Sequence, residues 1–568
     1  MSQVLLVSFA GYPYSPSSLM PDNGLASLAG ALLDAGHQVK VLDYGTVETL
    51  RRLFPEDLSR KVQPLARKLF VDGRSLGVLD KMRFLRAGNA LDRFQSHELP
   101  RIAADVAAEA ERFGAKFVGL KLWNGDGFAG AVHIARAVRQ ALPDAIVLGG
   151  GPHVDYFHGH ILEYTDAFHF LVQGEGEQVL LQIIAAMEAG REYRDLPGVI
   201  WRDGGTVRSR PSGSLASLDY LPLPVYDPRI YPALRGDSKI RIGVLDESRG
   251  CPNRCAFCIH PIKSGGHWSL KGPQRVLSEM RRLMGALDSR YFVYSGSNTS
   301  ARVAVSIAEE ICRAGLDVRY GCFGHIRGIA RADFDLLKQS GCEAIFYGLE
   351  SASPRILQDS FNKPLDLELA ETVLRSTREA GIATIASIIY PAPFEDEQSR
   401  DETLDFIRRV QPDSVPVTIP GIIPGTPWEK DPEKYGFAVD SREDFWDYAL
   451  TYKIKLLFPP SLWKPLPYRV TLRFGGRDHL VRSEQLFQES ERMTHAIEAM
   501  GIPGNLSHEL VLMADALGRR DDLTSFRNDC RAMFLSGNAD AVGEMTARIN
   551  EQVRPSNSRA GHLAEAVR

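Results

Sequence analysis

The residues best equipped for chemistry are three cysteines, Cys251, Cys255 and Cys258, in the stretch RGCPNRCAFCIH. Their spacing is C-x3-C-x2-C, while the other four of the seven cysteines, Cys312, Cys322, Cys342 and Cys530, are scattered. Three thiolates on one short loop can grip a soft metal centre. A structural zinc ion wants a closed set of four ligands, and a [4Fe-4S] cluster usually has four thiolates. Three ligands leave one position open, and an open position is a site for chemistry. On the residues alone, other readings stand beside this one: a zinc site completed by His260, an electron-transfer cluster completed from elsewhere, or three core cysteines without metal.

The elements around the loop say where it sits. IRIGVLDES, just before it, reads as a strand, and RYFVYSG, VRYGCFG, AIFYGLES, ATIASIIYPAP and SVPVTIPGIIP follow as further strands. Helical apolar spacing lies between them, as in QRVLSEMRRLMGAL and DLELAETVLRSTREAG. This alternation over residues 241–430 predicts a partial (β/α)6 barrel, whose strand C-terminal ends carry the chemistry. The cysteines follow the first of those strands.

A second α/β series precedes the barrel. VLLVSF, GLASLAGALLDAGHQVKVLDY, FVGLKLW, HIARAVRQAL, IVLGGG and FHFLVQGEGE alternate as strands and helices, which predicts a doubly wound, Rossmann-like domain over residues 1–190. Gly149, Gly150 and Gly151 end one strand, where they make either a plain turn or a close backbone approach to a ligand. Within this unit residues 50–110 read as a basic helical insertion, either solvated helix faces or a cap over a phosphate-bearing cofactor. Residues 191–240, rich in Gly, Pro and Ser, read as a linker. Residues 431–568 read as a mostly helical substrate or lid domain with a frayed tail, PSNSRAGHLAEAVR. The aromatics Trp428, Phe445, Trp446, Tyr448 and Tyr452 are core residues or a pocket lining.

Composition narrows the class. The 568 residues carry a formal net charge of -4, with 44% hydrophobic and 24% charged residues, so nothing points to nucleic acid or an anionic membrane as a partner. No apolar run reaches spanning length, and MSQVLLVSFAGYPYS lacks the basic start of a signal peptide. A low, odd cysteine count argues for a reducing compartment, hence the cytoplasm.

At this point the motifs carry a resemblance. RGCPNRCAFC after a strand resembles the cluster loop of radical S-adenosylmethionine (SAM) enzymes. That implies a [4Fe-4S] cluster on Cys251, Cys255 and Cys258, with SAM chelating the fourth iron. YSGSNTS, with Ser295, Ser297 and Asn298, is similar to the family's strand end that contacts the SAM amino group. YGLES places Glu350 and Ser351 where the fourth strand contacts the ribose or methionine end, and SIIYPAPFEDE stands where the fifth passes the adenine. Arg327 in HIRGI is a partner for the SAM carboxylate or a helix cap. For all of these, ordinary strand-end hydrogen bonding is the other reading.

The N-terminal unit resembles the cobalamin-binding domain found ahead of many radical SAM enzymes, with the three glycines as cofactor-binding positions. It lacks the Asp-x-His-x-x-Gly hexapeptide of many cobalamin proteins, and His37, His153 and His158 do not fit that spacing. The lower axial ligand of cobalt is therefore open. Together the motifs resemble the cobalamin-dependent (class B) radical SAM methyltransferases. The resemblance implies transfer of a SAM-derived methyl through methylcobalamin to a poorly activated carbon of a small-molecule or peptide precursor, in specialised metabolism such as antibiotic biosynthesis. It also implies a reductase or flavodoxin-type electron donor. Alternatives are non-radical methylation of an sp2 carbon such as tryptophan C2, a rearrangement or cyclisation without methyl transfer, and a non-enzymatic iron-sulfur electron-transfer protein. The C-terminal region shows no small basic RNA-binding domain, which weighs against the tRNA methylthiotransferases.

Overall fold

The structure, a computed structural model, describes residues 1–213, 217–453, 457 and 466–555. The apolar run at the start of the chain becomes β1 (Gln3–Ser8), buried on both faces as a central parallel strand must be. It lies between β2 (Gln38–Asp43) and β3 (Phe117–Lys121), and β4 (Ile146–Gly150) and β5 (Phe170–Val172) continue outward, all parallel. The strand order reverses at β1, so the crevice beyond the C-terminal ends of β1 and β3 is the expected ligand position.

Part of the segment expected as a linker joins this sheet. β6 (Val199–Asp203) and β7 (Thr206–Ser209) extend it antiparallel. Beyond them the chain runs back along the helix Asn23–Asp34, with Val225 N–H donating to the Ala26 carbonyl at 3.0 Å and Tyr226 buried. The basic 50–110 stretch is helical and ends in one long helix, Val78–Phe113, which packs on Asp126–Ala141.

The second sheet is formed by β8 (Gly243–Leu245), β11 (Tyr291–Tyr294), β12 (Arg319–Gly324), β13 (Cys342–Glu350), β14 (Ala383–Ile389) and β15 (Val417–Thr418). They lie in that order, all parallel. An antiparallel ribbon, β9 (Ser248–Gly250) and β10 (Trp268–Leu270), brackets the cysteine loop. Amphipathic helices cover the outer face; Pro273–Leu287, for instance, buries Val276, Met280, Leu283 and Leu287 at helical spacing. The inner face is filled by a C-terminal helix, His508–Ala516, which packs on β11 to β14 with Val511 against Ala344, Ala383 and Ile385.

The C-terminal region is not helical throughout. β16 (Phe437–Val439), β17 (Tyr468–Phe474) and β18 (Arg477–Val481) form an antiparallel sheet. The turn Gly475-Gly476 joins the last two strands with both φ positive, 55° and 75°. The period-2 alternation of YRVTLRF and that turn were the signals for it. FWDYAL is helical within Arg442–Thr451, whereas most of KIKLLF and of the tail lie outside the described residues. Trp428 and Phe445 are core residues, and Tyr452 alone of the singled-out aromatics lines the cavity described next. Among the described residues no helix is long and apolar enough to cross a membrane.

Candidate active site

A cavity of about 920 Å³ lies between the C-terminal edge of the first sheet and the mouth of the barrel. On the first-sheet side Gly150 and Gly151 line it, and Gly149 does not. A Cβ at Gly149 would meet Leu122 Cδ1 at 2.6 Å and Leu171 Cδ2 at 2.8 Å, so that glycine serves strand packing. Gly151 has φ of 95°, and a Cβ there would meet Lys121 Cγ at 3.1 Å. Lys121 is held by Asp22, the N-cap of Asn23–Asp34, at 2.6 Å and lies over the Trp123 ring at 4.7 Å. Burial works against the Asp22 charge, but Lys121 keeps its carboxyl below the usual range.

None of His37, His153 and His158 lines this cavity. His37 accepts from Ser2 N–H at the opposite end of β1, and His158 pairs with Gln173 at 3.1 Å. His153 packs among Trp123, Tyr156 and Phe157, where burial pushes it down to about 4.

The barrel side begins at Gly250, whose φ of 81° turns the chain into the cysteine loop. Cys251 and Cys255 are buried and Cys258 half-buried. Ala256 N–H donates to the Phe361 carbonyl at 2.8 Å, and Phe257 packs on Phe361 and Trp428. Asn253 Nδ2 donates to Cys251 Sγ at 3.3 Å. Burial, reinforced by the neighbouring thiols, pushes Cys255 up to about 11 and Cys258 to about 12, a set of sulfurs that a cationic centre would hold as thiolates. Among the described residues no three such side chains converge on one ion position. A [4Fe-4S] cluster takes each thiolate on a different iron, so it does not require the three sulfurs to converge on one point. His260 Nδ1 is 2.6 Å from Ser297 Oγ.

Ser295 and Ser297 line the cavity, and Ser295 donates to the Leu245 carbonyl at 3.1 Å. Asn298 is buried with Oδ1 lacking a partner, and it does not line the cavity. Glu350, in the left-handed region at φ 66°, pairs with buried Lys363 at 2.9 Å. Lys363 also donates to the Gly348 carbonyl at 2.6 Å; burial opposes its charge, and Glu350 and Cys255 keep it charged. Ser351 accepts from Ser353 N–H at 3.1 Å and lies 3.3 Å from Thr403, so it is engaged within its own loop. Arg327 sits exposed on the single turn Ile326–Ile329 and does not line the cavity.

Two residues escaped the sequence reading. Arg249 bridges the domains, 2.7 Å from Glu177 beyond β5 and 2.7 Å from Asp246 beyond β8. Lys271 extends the network to Asp246 at 2.5 Å and Glu279 at 2.8 Å. Both ends of the bridge stood in quoted motifs, RGC and QGEGE, but nothing local showed that they meet. Glu247 is fully buried and accepts from Gly296 N–H at 3.0 Å and Thr299 Oγ1 at 2.6 Å, fixing the loop of Ser295 to Thr299.

Residues 248–407 match the radical SAM superfamily, and residues 83–184 match the B12 binding domain. The chain thus carries a B12 binding domain ahead of a radical SAM domain. Its cofactors are a [4Fe-4S] cluster, SAM and cobalamin. Among relatives of this radical SAM protein is an uncharacterized methyltransferase of Pyrococcus horikoshii, 26% identical over 57% of this chain and 71% of that one. An anaerobic magnesium-protoporphyrin IX monomethyl ester cyclase of Rubrivivax gelatinosus is 25% identical, but over only 48% of this chain and 51% of that one. In structure it is similar to the radical SAM methyltransferase TsrM of Kitasatospora setae, solved with cobalamin and a [4Fe-4S] cluster. That match has a TM-score of 0.59 at 17% identity and covers 95% of this chain and 99% of that one, a likeness of fold.

Proposed function

We propose that the protein is a C-methyltransferase that moves a SAM-derived methyl, by way of methylcobalamin, to a poorly activated carbon of a small-molecule or peptide precursor in specialised metabolism. The observation that carries this reading is the shared cavity: Gly250 of the cluster loop, Ser295 and Ser297 of the barrel, and Gly150 and Gly151 of the first sheet open on one space. When bound, the reduced cluster with SAM supplies a hydrogen-abstracting radical and cobalamin supplies the methyl group.

The chain's own residues bind, orient and exclude water. Cys251, Cys255 and Cys258 hold the cluster. The Glu350–Lys363 pair lies beside the thiols. Gly150 and Gly151 admit the corrin ring close to the backbone. Val244, Val293 and Phe323 keep the barrel side apolar. Arg249 holds the two walls in register. Electrons come from a flavodoxin-type donor, and the seven-cysteine count supports a reducing compartment.

One observation favours a second reading, methylation of an sp2 carbon with a general base. Asp155 lines the cavity, and burial pushes its carboxyl up to about 6, although Gly174 N–H donates to it at 2.7 Å. A carboxylate so poised can take a proton near neutral pH.

The test is anaerobic purification from a cobalamin-fed host, with iron, sulfide and corrinoid measured on one sample, followed by turnover with methyl-labelled SAM. The expected result is about four irons per chain, one corrinoid, and a product heavier by one labelled methyl. Iron without corrinoid after reconstitution overturns the cobalamin step. SAM cleavage with no methyl gain points to a rearrangement instead.

A further inference from the structure

We infer that Glu509 receives a protonated amine, or an equivalent cationic N–H group, on the methyl acceptor; the inference rests on the function proposed above. Glu509 stands in the first turn of His508–Ala516, the helix that fills the barrel from within, and its side chain lines the cavity at 19% exposure. A helix N-terminus is where a carboxylate is favoured.

The carboxylates around this cavity are otherwise engaged. Asp22 pairs with Lys121, Asp43 with Lys239 at 2.7 Å, and Glu177 and Asp246 with Arg249. Asp155 accepts from a backbone N–H, and Asp126 and Glu175 also have partners. Glu509 differs. Among the described residues no lysine or arginine reaches it, and its one ionisable neighbour is His508 Nδ1 at 3.7 Å.

His508 does not supply the missing charge. It is 1% exposed, with its ring 4.6 Å from that of Phe323 and 6.1 Å from that of Phe346. Burial pushes its pKa down, and both ring nitrogens are buried without a hydrogen-bond partner. A neutral imidazole at this distance offers Glu509 neither a counter-charge nor a hydrogen bond. His508 packs on Phe323, and Phe323, Val244 and Val293 all line the cavity.

Position assigns that counter-charge to the acceptor. The cysteine loop and Ser295–Ser297 form the side where SAM meets the cluster, and Gly150 and Gly151 form the corrin side. Glu509 instead stands on the helix that packs on β11 and β12 inside the barrel, and Val293 of β11 and Phe323 of β12 also line the cavity. The fit is to a cationic nitrogen carried on an apolar or aromatic body.

The experiment uses the full-length holoenzyme with SAM bound and ligand-observed NMR. Tryptamine, phenethylamine and agmatine are each compared with their N-acetyl twins, which keep the skeleton and lose the charge. The expected result is tighter binding of at least one amine over its twin, by about tenfold or more. Glu509→Gln should bring the ratio to about one, and Glu509→Asp, which keeps the charge, should retain a preference. No amine preference in the wild type, no amine binding at millimolar concentration, or an unchanged ratio in Glu509→Gln overturns the inference. Reductive SAM cleavage is measured on the same wild-type sample. Its absence breaks the functional reading, whereas cleavage without amine preference breaks this inference alone.

Discussion

On the first-sheet side of the cavity Gly150 and Gly151 at the end of β4 bring backbone to the surface, beside the single pairs Lys121–Asp22 and Lys239–Asp43; the barrel side is backed by a connected network of buried charge. The barrel side holds Arg249 between Glu177 and Asp246, Lys271 between Asp246 and Glu279, Lys363 on Glu350, and Glu247 under the Ser295 loop. The proposed function accounts for the contrast by the group each side would hold. A broad corrin ring needs room and close backbone approach, which glycine supplies. A cluster loop needs short segments held in register, and buried ion pairs do that only while every partner is present. The glycine wall should therefore fail locally, and the charged wall should fail as a unit.

The largest break is at the cluster loop. Replacing Cys251, Cys255 or Cys258 with Ala should abolish iron content and SAM cleavage, read by iron assay and 5′-deoxyadenosine formation. Cys312→Ala and Cys530→Ala, away from the loop, should leave iron content near normal. Activity that survives a loop substitution would remove the cluster from the mechanism. Next is Arg249→Met, which strands Glu177 and Asp246 without their shared cation. Removing one partner of a buried pair costs about 3–5 kcal/mol, measurable by denaturant unfolding. Arg249→Lys should recover part of that, because a lysine meets one carboxylate but lacks the fork that spans both. If Arg249→Met melts like the wild type, the bridge does not hold the walls together.

A local break on the other wall is smaller. Gly150→Leu should lower corrinoid retention by about tenfold while iron content stays the same. Equal loss of both cofactors would mean misfolding and would erase the contrast between the walls.

The same contrast explains what was legible in the chain. Cys251, Cys255 and Cys258 were plain because their chemistry is local, three thiols in eight residues. The six barrel strands and the five parallel strands of the first sheet were plain from periodicity, and Gly150 and Gly151 from their place at a strand end. Gly149 belongs to the same triplet, yet strand pleating turns it toward Leu122 and Leu171. Arg249 and Glu177 lie 72 positions apart, and only the docking of the two sheets brings them together. Arg327 carries the right charge for its expected role but sits on an exposed turn, because charge type says nothing about direction. The β17–β18 hairpin hid inside a region whose overall composition reads as helix.

The last test asks whether the charged wall is charged throughout. Glu247 is the one acid of that network without a cationic partner, and burial pushes it up to about 7 against the pull of the Thr299 and Gly296 donors. Its usual value is 4.5, so the folded chain binds this proton more tightly than the unfolded chain. The stabilisation is then complete below about pH 4.5 and is lost as pH rises through about 7. Glu247→Gln removes the titration and keeps a polar group, with its carbonyl able to accept from Gly296 and its amide facing Thr299. Relative to that variant the wild type should lose on the order of 2–3 kcal/mol between pH 4.5 and 8, read from paired denaturant melts. Parallel curves would mean that the two donors outweigh burial and that Glu247 stays ionised. The barrel wall would then carry an anion supported by hydrogen bonds alone, a device closer to the backbone chemistry of the opposite wall.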